Sequence, residues 1–143
     1  MKYRLLSLIA PVALLLTLVL VSTLTRNVSD SAAPLGWYHV HWGATARAGD
    51  LVLLRMPIKQ VWALPGQQVT FAKDGVYVDG RHLPNSAPEP GIPLVCPLGK
   101  YVVPPYFFLA MGTNNPDSYD GRYECFTPLS LIAATVTPVW TKK

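Results

Sequence analysis

Leu5 to Leu24 forms an unbroken apolar run (LLSLIAPVALLLTLVLVSTL), with Lys2 and Arg4 before it and Arg26 after it. At about 1.5 Å rise per residue, twenty helical residues give roughly 30 Å, enough to cross a bilayer core. The run is longer than the apolar core of a cleaved signal peptide. The best small-residue cleavage site, Ser31-Ala32-Ala33, is followed by Pro34, a poor residue after a scissile bond. The reading is therefore an uncleaved anchor, with a cleaved signal as the alternative. Two basic residues precede the span and one follows it closely, so the positive-inside rule favours a cytoplasmic N-terminus and an exported remainder. The predicted organisation is a stub and transmembrane anchor over residues 1–25 and an exported domain over residues 26–143.

All ten glycines and all but one of the fourteen prolines lie beyond the apolar run. That distribution points to short strands and turns. Candidate strands are Gly36–Trp42, Asp50–Met56 (stopped by Pro57), Ile58–Leu64, Gln68–Ala72 and Gly75–Asp79. Lys73-Asp74-Gly75 supplies a hairpin signal between the last two. Residues 84–93 hold four prolines and read as a surface loop. Lys100–Met111 reads as strand, broken at Pro104-Pro105, and Leu129–Trp140 as a closing strand too short to be a second anchor. About eight strands and no amphipathic helix outside the anchor predict an all-β fold, a small antiparallel barrel or sandwich.

The chain's net charge is +4, and the basic residues beyond the anchor are scattered with no basic stripe interleaved with aromatics, so nucleic acid is not an expected partner. Cys96 and Cys125 can form a disulfide in an exported domain, or can be two buried thiols. They and His39, His41 and His82 show no metal-ligand spacing, and no metal or cofactor is expected. Trp37 and Trp42, near the anchor, suit either a lipid interface or the core.

A serine becomes a useful nucleophile only when a base takes its proton. The three histidines read as strand or turn residues, which leaves Lys59. It sits within Met56-Pro-Ile-Lys-Gln-Val-Trp-Ala-Leu64, with no carboxylate near it in sequence. Burial there would lower its pKa towards that of a general base. The plainer reading is a strand lysine reaching out to water.

Four segments, in order, resemble the bacterial signal peptidase I family, the Ser-Lys membrane proteases. They are Ser29-Asp-Ser31-Ala-Ala-Pro34, Ala48-Gly-Asp-Leu-Val-Leu53, Ile58-Lys59-Gln-Val-Trp-Ala-Leu-Pro-Gly66, and Met111-Gly-Thr-Asn-Asn-Pro-Asp-Ser118-Tyr-Asp120-Gly-Arg122-Tyr123. The resemblance implies Ser31 as nucleophile and Lys59 as general base. It also implies an oxyanion hole from the Ser29 hydroxyl and the Ser31 N–H, Ser118 orienting the lysine, and Asp120 with Arg122 as a structural ion pair. The chain departs from the family pattern at Thr113 and Gln60, where an aspartate and an arginine can pair, and a neutral contact between the two is expected instead.

Arg26-Asn27-Val-Ser29-Asp-Ser31-Ala-Ala-Pro34-Leu-Gly36-Trp-Tyr38 is most similar to the TraF-type conjugative-transfer peptidases. Those usually keep one residue between serine and proline where this chain has two. The Ser-x-Ser spacing places the nucleophile at Ser31, whereas alignment on Pro34 would place Ala32 there. The resemblance implies a serine endopeptidase in the cell membrane with its catalytic domain outside the cytoplasm. It would cut a pre-protein or pilin precursor after small residues, by hydrolysis or with cyclisation. The contrasting expectation is a non-catalytic, membrane-tethered scaffold of a conjugation or secretion apparatus.

Overall fold

The computed structural model describes residues 2–54 and 58–142, with side chains from Ile9 onward in the first helix. That helix, α1 (Lys2–Ser22), is followed after a single residue by β1 (Leu24–Asn27). Every large apolar side chain from Ile9 to Val21 is more than half exposed, so none of the described residues covers this part of the helix. Among the described residues no helix is long and apolar enough to cross a membrane. The beginning of the apolar run, with its side chains undescribed, falls outside that statement.

The rest is mostly β. The strands are β2 (Gly36–Trp42), β3 (Leu51–Leu54), β4 (Ile58–Ala63), β5 (Gln68–Ala72), β6 (Gly75–Val78), β7 (Arg81–His82), β8 (Gly99–Val102), β9 (Phe107–Met111), β10 (Thr127–Pro128) and β11 (Ile132–Thr141). A one-turn helix, α2 (Gly121–Glu124), lies between β9 and β10. The strands form a seven-stranded sheet, β1-β2-β11-β3-β4-β9-β10, and a four-stranded sheet, β7-β6-β5-β8. Every pairing is antiparallel.

The hairpin at Asp74-Gly75 forms as the turn pair predicts, with Ala72 opposite Gly75. Pro104-Pro105 is where the chain leaves one sheet for the other, because β8 pairs with β5 and β9 with β4. A proline cannot donate to a ladder, so neither sheet continues through that pair. The run read as a strand to Met56 is a strand to Leu54, and its end lies outside the described residues. The closing segment opens with a 3₁₀ turn at Leu129–Leu131, and β11 then fills the gap between β2 and β3.

Two packed regions position the site. Ala63, Leu109 and Met111 of the large sheet meet Val69, Phe71, Val76 and Val78 of the small one, which locks the sheets together. A second cluster gathers Ala33, Tyr38, Val40, Ile58, Ala134 and Val136 beneath the segment that carries Ser31. The Cys96–Cys125 disulfide is formed and ties the proline-rich loop to the end of α2.

Candidate active site

β1 and β2 pair in register up to Asn27 opposite Gly36, so residues 28–35 are the loop of a hairpin. Ser29 and Ser31 lie in this loop. Asn27 secures it from inside: its buried amide donates to the Ala33 carbonyl at 2.9 Å and the Pro34 carbonyl at 3.0 Å. Its carbonyl accepts from the Ser29 N–H at 3.3 Å, the i to i+2 bond typical of an asparagine turn. Tyr38, fully buried on β2, donates its hydroxyl to the Pro34 carbonyl at 2.7 Å.

The segment after β9 grips the same loop from the other side. The backbone N–H groups of Asn114 and Asn115 both donate to the Ser31 carbonyl, at 2.9 and 3.2 Å. Their side-chain amides donate to the Asp30 carbonyl and carboxylate, at 2.6 and 3.1 Å. The backbone of the Ser31 segment is thus held by its neighbours. Its side chain is not: Ser31 Oγ is buried and has no hydrogen-bond partner. The Ser29 hydroxyl stands 3.5 Å from the Ser31 N–H, at the long limit of a hydrogen bond.

Lys59 lies on β4 opposite Val52 and is only 6% exposed. Its Nζ donates to Ser118 Oγ at 3.0 Å and to the Tyr119 carbonyl at 2.8 Å. Burial is the main cause that holds its pKa below the ordinary lysine value. Asp120 and Glu124 pull the other way, and the Arg122 charge adds to the lowering.

Asp120 does not neutralise the lysine, because Arg122 occupies it. Arg122 Nε donates to one carboxylate oxygen at 2.9 Å and Nη2 to the other at 3.0 Å, with both side chains almost wholly buried. The Gly112 N–H adds a third bond at 2.7 Å. Arg122 Nη1 continues to the Pro116 carbonyl at 2.6 Å. Asp120 also caps α2 by accepting from the Arg122 N–H. This is the sole ion pair among the described residues.

No hydrogen bond joins Ser31 Oγ to Lys59 Nζ; the amine's two partners lie in the 118–119 segment. Gly112 is what brings the two halves together. A Cβ at that position would overlap Ser118 Oγ and stand 2.9 Å from the Ser31 carbonyl oxygen, so only glycine lets these backbones approach. Hydrogen bonds of catalytic groups often tighten only when substrate is present.

The other candidates are placed elsewhere. His41 bonds Thr137 on the outward face of β2, and His82 bonds the Asp74 carbonyl. Neither these nor His39 is hydrogen-bonded to Ser31. Among the described residues no group of three His, Cys, Asp or Glu side chains could hold a metal. The neutral contact expected between Gln60 and Thr113 does not form. Gln60 Nε2 reaches the Gly49 carbonyl at 3.1 Å, while the Thr113 carbonyl accepts from Asn85. With neither charge present, each residue takes the nearest backbone or amide partner.

The site thus holds a buried amine whose two partners are neutral oxygens, and a buried hydroxyl with no partner in the loop that Asn114 and Asn115 hold. The chain belongs to the signal peptidase family, peptidase S26, whose profile matches residues 3–141. It is a protease of signal-peptidase type, a serine peptidase acting on protein precursors. A signal peptidase I from Enterococcus faecalis V583 is similar to it, at 21% identity and a TM-score of 0.47, over 66% of this chain and 98% of that one. Among curated proteins none matches the chain.

Sequence reasoning had missed Asn27, Gly112, Asn114 and Asn115 as site residues. The Asn-x-Ser spacing was the available signal for Asn27. Nothing local distinguished Gly112 from an ordinary turn glycine.

Proposed function

We propose that the chain is a membrane-anchored endopeptidase in which Ser31 is the nucleophile and Lys59 the general base. The observation that carries this reading is that one segment, residues 114–119, holds both the loop with the unpartnered, buried Ser31 hydroxyl and, through neutral oxygens, the Lys59 amine. Lys59 Nζ takes the Ser31 Oγ proton as Oγ attacks the scissile carbonyl. The oxyanion that forms accepts from the Ser31 N–H and from the Ser29 hydroxyl, once that hydroxyl turns to donate. Such a donor is typically worth about 3–4 kcal/mol in the transition state. As the C–N bond breaks, Lys59 returns its proton to the leaving amine. Water then cleaves the acyl-enzyme, or a substrate amine does so with ring closure. Ser118 orients the lysine, and the Asp120–Arg122 pair braces the 116–122 segment.

The substrate is an extended precursor segment with small residues before the cut. β1 is an edge strand, open to strand addition by a peptide. Between β1 and the Leu53 and Ile58 side chains lies a cavity of about 60 Å³ that also borders Ser29. A pocket of that size suits alanine or serine and excludes large side chains.

Membrane anchoring is supported by the uncovered apolar surface of α1. Its Thr17 and Ser22 hydroxyls donate to the Ala13 and Val19 carbonyls, so neither would be left without a partner in lipid. The positive-inside bias puts the catalytic domain outside the cytoplasm. The Asn27-to-Tyr38 signature favours a TraF-type role, processing a pilin precursor in conjugative transfer. Co-expression with such a precursor, followed by mass measurement, tests the proposal. A trimmed product is expected, with a mass one water lower if the ends are joined. An untouched precursor, or unchanged processing by Ser31→Ala, would refute it.

A further inference from the structure

On the outward face of the large sheet, Arg26 of β1, Trp37 of β2 and Trp140 of β11 are cross-strand neighbours. They line a groove of about 440 Å³ that runs from Val28, in the hairpin loop, to Lys142. The floor is backbone. A Cβ at Gly36 would collide with the Trp140 carbonyl, and the Lys142 N–H donates to the Leu35 carbonyl at 2.7 Å. The rim is mixed. Trp37 is 46% exposed and Trp140, like its neighbour Val139, 62%. Arg26 and Lys142 are exposed at the groove and neither is in an ion pair. Among the described residues no carboxylate lines the groove, and Asp30, the acidic side chain nearest to Arg26 in the chain, is engaged by Asn115.

We propose that this groove seats the headgroup of an anionic phospholipid, with its phosphate between Arg26 and Lys142 and its glycerol backbone against Trp37 and Trp140. Two unopposed cations select a negative group, and exposed indoles favour the layer between acyl chains and water. The groove begins at Arg26, four residues after the end of α1, on the strand that α1 feeds directly. A free sugar phosphate would have no use for the surrounding Val28, Leu35 and Val139. The consequence for the site is positional: a lipid held here grips Val28, three residues before Ser31, and sets the hairpin loop at headgroup level. This inference rests on the anchored reading given above.

The test uses the full chain with Ser31→Ala, so that its outcome does not depend on catalysis. The protein is reconstituted into phosphatidylcholine vesicles with or without one third phosphatidylglycerol. It is then extracted in mild detergent and weighed intact with its retained lipid. One retained phosphatidylglycerol per chain is expected, reduced roughly tenfold in Arg26→Gln/Lys142→Gln, since each cation near the surface contributes severalfold. Arg81→Gln/Lys100→Gln, on the small sheet, should retain it as wild type does. Equal retention of phosphatidylcholine, displacement by inorganic phosphate, or undiminished retention in the Arg26/Lys142 variant would each overturn the proposal. Failure of the chain to associate even with phosphatidylcholine vesicles would instead refute the anchor, and the lipid groove with it.

Discussion

The surroundings of Ser31 and of Lys59 are built on opposite principles. Around Ser31 the backbone is fully committed, through Asn27, Tyr38, Asn114 and Asn115, and the side chain is left with nothing. Around Lys59 the side chain is committed twice over, and of the charges nearby Asp120 and Arg122 are paired with each other. A buried polar atom without a partner costs stability, and a buried cation without an anion costs more. Both costs fall on the two groups that the proposed chemistry uses. The comparison teaches that the two groups are prepared differently: the Ser31 hydroxyl lacks a hydrogen-bond partner, whereas the Lys59 amine has partners but no bonded counter-ion.

The sharpest way to break this comparison is to remove either group. Ser31→Ala and Lys59→Met should each lower kcat by at least about a thousandfold, with circular dichroism unchanged. If either variant kept a tenth of wild-type turnover, the pairing of roles would be wrong.

Arg122→Met comes next, because it strips a buried carboxylate of its partner. Loss of about 3–5 kcal/mol in denaturant unfolding is expected. The freed Asp120 charge should also raise the Lys59 pKa. Cleavage requires the neutral amine, so activity falls as pH drops through the Lys59 pKa. In wild type that fall should lie below the ordinary lysine range, and in any Arg122→Met protein that folds it should move to higher pH. A pH profile unmoved by the substitution would show that the ion pair does not shield the amine.

Ser118→Ala removes one of the amine's two acceptors and should lower kcat about 10- to 100-fold with KM little changed. Asn27→Ala leaves two carbonyls without their donor and should destabilise the fold by about 1–3 kcal/mol, as read by thermal unfolding. Gln60→Ala, whose amide bond is exposed, should change stability by no more than about 0.5 kcal/mol.

Much of the fold was legible because turn chemistry is local. Asp74-Gly75 and the Pro104-Pro105 break mark their positions whatever the rest of the chain does. The pairing partners are non-local and were not legible. β1 (Leu-Thr-Arg-Asn) has no strand pattern of its own and exists because Tyr38 and its neighbours pair with it. α2 is four residues long and owes its form to the Asp120 cap. The candidate site was visible only as types of residue in order. That Lys59 would be buried against Ser118, 59 residues away, and that Gly112 would bring Ser118 up to the Ser31 backbone, depends on the crossing of segments distant in the chain.

Thr23 alone separates α1 from β1, and that brevity has a consequence for substrate choice. If α1 lies in the bilayer as proposed, so short a joint holds the catalytic domain at one height above the lipid. A precursor is then selected as much by ruler as by motif. Small residues at the wrong distance from the membrane would pass uncut.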